Sequence, residues 1–307
     1  MSNQLPPEIA ARIAHWLAAH GAATRGGAEA LSAAYKQGAA STAISLAAYL
    51  TTRLPATYAA VHAVLGQVCR ILPGFAPRSL LDVGAGPGTA SFAARHHWPQ
   101  AKTILVEQDA RFAALAQELV PEAQVLRQSL LQCDAKADAV IAAYVFAELT
   151  EAQAPAAALH LWQATQQLLV IIEPGTPQGF ARLRAARLAL LQQGAAPIGP
   201  CTHAKACPMA GQDWCHFKTR LARSRAHMQA KAAVVPFEDE SYAWLALARQ
   251  PAALPKGRII APPVVNKVAA TFRLCTAEGV AHSAIASRNK AAYKQAKKLI
   301  WGDGFDF

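Results

Sequence analysis

From Ser79 onward the chain alternates short apolar runs with runs of helical period. The first such run closes on glycines, in LLDVGAGPGTASFAA at 80–94. Gly84, Gly86 and Gly88 follow the apolar run and precede the helical one. At a strand-to-helix junction, glycine lets the backbone turn tightly and approach a ligand, and the helix start offers free N–H groups. The rhythm then repeats. KTILVEQD reads as a second strand ending in acids and ARFAALAQELV as a helix; AQVLRQS, ADAVIAAYV and QLLVIIEPG read as further strands. Alternation of this kind predicts a doubly wound, mostly parallel α/β sheet, with right-handed crossovers that place helices on both faces.

The glycine loop predicts a nucleotide-type ligand. Its GxGxG spacing, with Pro87 inside, differs from the dinucleotide fingerprint GxGxxG. Glu107 adds specificity. It ends the second strand, about 20 residues downstream, where an acid accepts hydrogen bonds from ribose hydroxyls. Asp109 is the second candidate for that role.

Three regions are expected. Residues 1–75 read as an N-terminal helical region, with PEIAARIAHWLAAHG and the run through ISLAAYLTTRLPATYAAVHAVLGQVCRIL at helical spacing. Residues 76–200 hold the strand–helix core. In residues 201–307, YAWLALARQ and KVAATFRLCTAEGVAHSAIA read as strands, the latter a hairpin, expected to complete the edge of the same sheet.

Four of the six cysteines group in the last region. Cys201, Cys207 and Cys215 fall within CTHAKACPMAGQDWC, and Cys275 follows in TFRLC. Clustered thiols in a reducing compartment point to metal binding. The gaps lack the paired CxxC of zinc ribbons, and spacing alone leaves zinc and an iron–sulfur cluster open. His203 and His216 are second-rank ligand candidates, with Trp214, Pro208 and Phe217 as an apolar shield. Cys69 and Cys133 read as structural.

Charge is uneven. Residues 1–180 hold 11 basic and 12 acidic side chains, and residues 181–307 hold 19 and 7. A basic half of this kind favours nucleic acid. Two runs stand out, KTRLARSRAHMQAK at 218–231 and SRNKAAYKQAKKL at 287–299, both of which can be written as helices with a basic side. No apolar run reaches the roughly 20 residues of a membrane span, and the N-terminus has no secretory pattern. A cytoplasmic location is expected, or the mitochondrial matrix if the source is eukaryotic.

The glycine loop followed by a strand ending in an acid resembles the first two motifs of class I S-adenosylmethionine-dependent methyltransferases. That resemblance implies a Rossmann-like fold in which Asp82, Gly84, Gly86, Gly88 and Glu107 bind S-adenosylmethionine. The cysteine segment CTHAKACPMAGQDWCHFKTRLARSRAHMQAK narrows it further. With LTTRLPATYAAVHAVL, YVFAEL, IIEPGTPQGF and AAYKQAKKLIWGD, it resembles a methyltransferase-like family of small-ribosomal-subunit assembly factors. The resemblance implies a [4Fe–4S] cluster on Cys201, Cys207, Cys215 and Cys275, and contact with the small subunit and its RNA. Catalysis is a separate question. The Asn/Asp-Pro-Pro-aromatic motif of amino methyltransferases is replaced by AAYVFAEL, with Glu148 as the nearest carboxylate. The family reading is therefore an assembly or translation factor with weak or lost transferase activity, and the alternative is an active ribosomal RNA methyltransferase.

Overall fold

The computed structural model describes residues 3–37, 44–209 and 213–307; residues 38–43 of the expected helical region and 210–212 of the cysteine loop lie outside them. The chain begins with α1 (Pro7–His20) and α2 (Arg25–Gln37). Helix α3 (Leu46–Ala48) starts where the Ser45 hydroxyl accepts the Ala48 N–H. It runs through a π-helical turn, Tyr49–Arg53, into α4 (Leu54–Ile71), with Pro55, which has no N–H to donate, just after the π turn.

The core follows as β1 (Ser79–Val83), α5 (Thr89–His97), β2 (Lys102–Val106), α6 (Ala110–Leu119), β3 (Gln124–Leu126), β4 (Ala137–Ala143), α7 (Ala154–Ala164), β5 (Thr165–Pro174) and α8 (Pro177–Gln192). Next come β6 (Ala196–Gly199), β7 (Phe217–Ala222), α9 (Arg225–Ala230) and β8 (Phe237–Ala248). The C-terminal part adds β9 (Gly257–Ile259), β10 (Val264–Val265), β11 (Ala269–Thr276), β12 (Gly279–Ala286), α10 (Lys290–Ala296) and β13 (Gly304–Phe305).

The main sheet has the order β3-β2-β1-β4-β5-β8-β6, with β7 also on β8. Strands β1 to β5 pair in parallel, and β8 enters antiparallel to β5. β4 and β5 are buried along nearly their whole length, which is why both read as continuous apolar runs. Helices α4, α5 and α6 cover one face and α7 and α8 the other. This is the fold of class I S-adenosylmethionine-dependent methyltransferases, with an N-terminal helical region packed on one side.

Two expectations change. The run at 218–231 is not one helix. Phe217, Thr219 and Leu221 point inward while Lys218, Arg220 and Ala222 point out, a period of two that makes β7, and only 225–230 is helical. The hairpin at 269–286 does not lengthen the main sheet. It pairs with β9 and β10 in a second, five-stranded sheet that also takes in β13. That sheet has its own core, with Phe272, Leu274 and Ile259 buried beneath α10. Burying a Phe or Leu side chain contributes about 1.5–3 kcal/mol, enough to hold the hairpin here.

Candidate ligand cavity and cysteine cluster

At the C-terminal ends of the parallel strands lies an open cavity of ≈ 620 Å³. Open α/β sheets bind ligands at this end. Gly84, Gly86, Glu107 and Asp109 line it, as do Tyr49, Phe112, Tyr144 and Glu148. The glycines have specific reasons to be glycines. Gly84 has φ +66°, and a Cβ there would stand 2.5 Å from Val145 Cγ2. Gly88 has φ +85°, and its Cβ would stand 2.6 Å from Val120 Cγ2. Gly88 therefore permits close packing of the loop and does not line the cavity.

Glu107 closes the loop. Its Oε2 accepts the Gly86 N–H and its Oε1 accepts the Asp109 N–H, each at 2.8 Å. Each oxygen keeps a lone pair, so the carboxylate can still accept hydroxyl hydrogens from the cavity. Burial raises its pKa, with the Asp109 charge adding to the effect and the backbone donors opposing it. Asp109 faces the same space but is already committed. It caps α6 through the Arg111 N–H at 2.8 Å and pairs with the Arg111 guanidinium at 2.9 Å.

Asp82 is placed elsewhere. It is buried, and its Oδ2 accepts the Ser91 N–H at 2.9 Å and the Ser91 hydroxyl at 2.8 Å, tying β1 to α5. Burial pushes its pKa up to about 6. Its contribution to the cavity is indirect, through the angle at which α5 leaves the loop.

The segment after β4 was hardest to read from sequence. Tyr144 is non-glycine with φ +64°, a left-handed conformation. Its ring lines the cavity while its hydroxyl donates to Glu240 Oε1 at 2.8 Å. Arg53 Nη2 donates to the same oxygen at 2.8 Å, and its guanidinium lies 4.4 Å from the centre of the Tyr144 ring. Burial, then the Glu240 charge, drives the phenol pKa well up, so Tyr144 stays protonated. Glu148 follows in a 3₁₀ turn (Phe146–Glu148), with its pKa raised by burial and by Glu107. Behind it, Glu173 is fully buried at the end of β5, with Arg182 at 4.0 Å, and burial pushes its pKa up to about 8. Position after a strand's C-terminal end is the signal that would have found Tyr144, and also Gln128 and Ser129 after β3.

All four clustered cysteines line a second, smaller cavity of ≈ 40 Å³ between the two sheets. Cys201, Cys207 and Cys215 reach it from the loop after β6, and Cys275 from β11. Among the described residues, no three His, Cys, Asp or Glu side chains are placed to hold a single metal ion. The remaining wall is apolar, with Phe180, Leu183, Trp244, Leu245 and Ile260, rather than the expected Trp214, Pro208 and Phe217. Arg184, Arg187 and Arg258 supply cations. Arg258 is buried, donating to the Pro200 carbonyl at 2.9 Å and the Gly302 carbonyl at 3.0 Å. Burial raises the pKa of the Cys207 thiol, drives that of Cys215 well up and pushes that of Cys275 up to about 12.

The two histidines separate. His203 Nε2 lies 3.9 Å from Cys275 Sγ, and its carbonyl accepts from Arg187 at 2.7 Å. His216 stacks on Trp214 with ring centroids 5.1 Å apart and does not line the cavity. Cys133 is buried in the core, and Cys69 packs against it from a half-buried position.

The family model described as mitochondrial small ribosomal subunit Rsm22 matches residues 43–306. A human protein, the mitochondrial ribosome assembly protein METTL17, is 26% identical over 289 residues, covering 83% of this chain. The chain covers 61% of that relative's length. Among solved structures, a magnesium protoporphyrin IX methyltransferase from Synechocystis PCC 6803 with bound SAM matches with a TM-score of 0.41 and 16% identity, covering 64% of this chain and 84% of its own. A precorrin-6y C5,15-methyltransferase from Geobacter metallireducens matches with a TM-score of 0.40 and 11% identity, covering 62% and 86%.

Proposed function

The chain belongs to the Rsm22 family, described as mitochondrial small ribosomal subunit proteins, and from that premise we propose that it is an assembly factor of the small ribosomal subunit. On this reading it binds S-adenosylmethionine and a [4Fe–4S] cluster and contacts ribosomal RNA. Its transferase activity is weak or lost. The related human protein carries the name of a ribosome assembly protein, which supports the role.

The observation that carries the ligand is Glu107. It sits at the cavity beside the glycine loop with both oxygens oriented by backbone N–H groups, and so is prepared for a ribose. The glycine loop from Gly84 to Gly88 would face the amino-acid end. Calorimetry should show S-adenosylmethionine binding that weakens at least tenfold in Glu107→Ala. Equal affinity in the variant would remove Glu107 from the site.

The cluster reading is supported by donor chemistry. Four sulfurs line one cavity, a donor set that an iron–sulfur cluster accepts, and their spacing lacks the paired CxxC of zinc ribbons. Three guanidiniums beside them, of Arg184, Arg187 and Arg258, offset thiolate charge in an otherwise apolar wall. Cys201, Cys207 and Cys215 would hold the cluster from the loop and Cys275 from β11. A cluster so held supplies iron–thiolate bonds that join the second sheet to the first. Protein purified without oxygen should contain about four irons and matching sulfide per chain. Stoichiometric zinc without iron would refute the assignment.

Weak transfer follows from the wall after β4. Where an acceptor base is needed, Tyr144 is spent on Glu240 and Arg53. The active-methyltransferase reading keeps one point in its favour, since Glu148 lines the cavity with a raised pKa. Mapping ribosomal RNA methylation in a deletion strain decides between them. One lost methyl group restored by wild type but not by Glu148→Gln would establish catalysis. An unchanged map with depleted small subunits would establish assembly alone. The compartment is that in which small subunits are built.

A further inference from the structure

We propose that the RNA contact is made by α10 and the turn beside it, and not by the longer basic stretch at 218–231; this rests on the ribosomal RNA reading above. The two basic runs look alike in sequence and differ in what surrounds them. In the first, Arg220 makes paired bonds to Asp239 at 2.7 and 2.9 Å. Arg223 and Lys231 share Glu238, at 3.3 and 3.0 Å. The acids lie on β8, in register across the β7–β8 hairpin, so three of the five cations of this stretch are neutralised within the fold, and Lys218 and Arg225 are left without an ion pair among the described residues.

The second run is not. Residues 264–302 hold seven Lys and Arg against one acid, Glu278. Arg273 pairs with Asp213. Lys267, Arg288, Lys290, Lys294, Lys297 and Lys298 are all exposed, and no described carboxylate forms an ion pair with any of them. Lys290, Lys294 and Lys297 stand at i, i+4 and i+7, one face of the helix, spread over about 10 Å. The opposite face is fixed to the second sheet by buried Ala296, with Tyr293 and Leu299. The Tyr293 hydroxyl donates to the Asn266 carbonyl at 2.5 Å, and the Ser287 N–H to the Val268 carbonyl at 2.8 Å. These bonds bring Lys267 and Arg288 to the same end of α10.

The arrangement works against the helix. Like charges at i, i+4 destabilise it, and Arg288 and Lys290 lie at the N-terminal end, where cations oppose the dipole. A seven-residue helix has little intrinsic stability to spare. Solubility needs no such concentration of one sign. A phosphate backbone compensates all of these charges at once and needs only point charges in return. An acidic peptide would also want apolar anchors. Along α10 the outward side chains Lys290, Ala291, Lys294, Gln295 and Lys297 provide none, and the exposed Val268 and Ile300 lie outside the helix, so competition by an acidic polypeptide is one arm of the test.

The test compares two triple variants of the full chain on a small-subunit rRNA transcript across a salt series. Replacing Lys290, Lys294 and Lys297 by Ala should reduce the log–log salt slope by about 2 and lower affinity about 50-fold at 0.15 M salt. Replacing Arg220, Arg223 and Lys231 by Ala should change affinity by less than about threefold, since cations already paired with Asp239 and Glu238 contribute little counterion release. Thermal melts should be level or higher for the α10 triple, which separates a contact from a folding defect. The surface assignment is overturned if the 218–231 triple costs as much as the α10 triple, while RNA binding by the wild type still stands. If the wild type fails to bind the transcript, the RNA reading itself falls. If polyglutamate of matched charge competes as well as RNA, the occupant is an acidic polypeptide and the proposal is overturned.

Discussion

Glu240→Ala tests whether a buried polar contact spanning the chain holds the ligand-cavity wall. The Glu240 side chain is 10% exposed and that of Arg53 18% exposed. Oε1 accepts both the Arg53 guanidinium and the Tyr144 hydroxyl at 2.8 Å. A hydrogen bond to a charged group contributes about 1.5–3 kcal/mol, and the phenol bond about 1 kcal/mol. Breaking a fully buried pair costs about 3–5 kcal/mol, and slight exposure places this one near the lower bound. We therefore expect a loss of about 3 kcal/mol in urea unfolding. At about 2 °C per kcal/mol for a large domain, Tm should fall by about 6 °C. Tyr144 adds a second readout. Its left-handed backbone carries roughly 1–3 kcal/mol of strain. Without Glu240 the residue is free to relax and to swing its ring away from the cavity, so S-adenosylmethionine affinity should fall too. Tyr144→Phe, which keeps the ring, should cost only about 1 kcal/mol. A double-mutant cycle with Arg53→Met should give a coupling of at least about 1 kcal/mol. A loss below 1 kcal/mol for Glu240→Ala, or zero coupling to Arg53, would show that the contact holds nothing.

Gly84→Ala should destabilise by about 1–3 kcal/mol and abolish ligand binding, because its Cβ would meet Val145 at 2.5 Å with φ at +66°; calorimetry and a thermal melt check both. Glu173→Gln should stabilise the protein increasingly above pH 5, by about 4 kcal/mol near pH 8. The sign follows from a folded pKa pushed up to about 8, above the ordinary carboxylate value. Such a group favours the fold most at acid pH and withdraws that support as pH rises through 8, so the variant's stability profile should be flatter. Arg258→Met should cost about 2–4 kcal/mol by stranding the Pro200 and Gly302 carbonyls. It should also lower the iron content of protein purified without oxygen.

Local periodicity and glycine chemistry made the core of the fold readable. The order of apolar runs predicted the parallel strands, and Glu107 was placed at the cavity by its distance from the loop. What stayed hidden depended on partners far away. In KTRLARS, basic residues recur often enough to fit a helix, and only pairing of Arg220 opposite Asp239 turns the segment into a strand. The same pairing removes its charge, which composition counts in full. The sequence around Cys275 predicts a hairpin at the edge of the main sheet; the hairpin forms, but in the second sheet. Which sheet it joins is decided by its three-residue pairing with β9, Leu274 to Ile259 through Thr276 to Gly257. Asp82 looked like part of the ligand set because it adjoins the glycines, yet alternation in β1 turns it toward Ser91. Tyr144 is signalled only by its place directly after β4, since its left-handed conformation is fixed by tertiary contacts and not by its neighbours.

Strand β8 has a further meaning for how the molecule is made. Its first half pairs with β7 in an arm that packs on α4 through Leu221, Ala56 and Ala59 and carries Glu240 to Arg53. The roof of the cavity, with Tyr49, thus leaves the ribosome early but has its anchor 187 residues later. At about 5–20 residues per second, the Arg53–Glu240 contact waits roughly 10–40 s after Arg53 is made. In that interval α4 can already pack on α5 and β1, while the cavity wall it carries stays unanchored. The wall that is made first is thus the one that is fixed last.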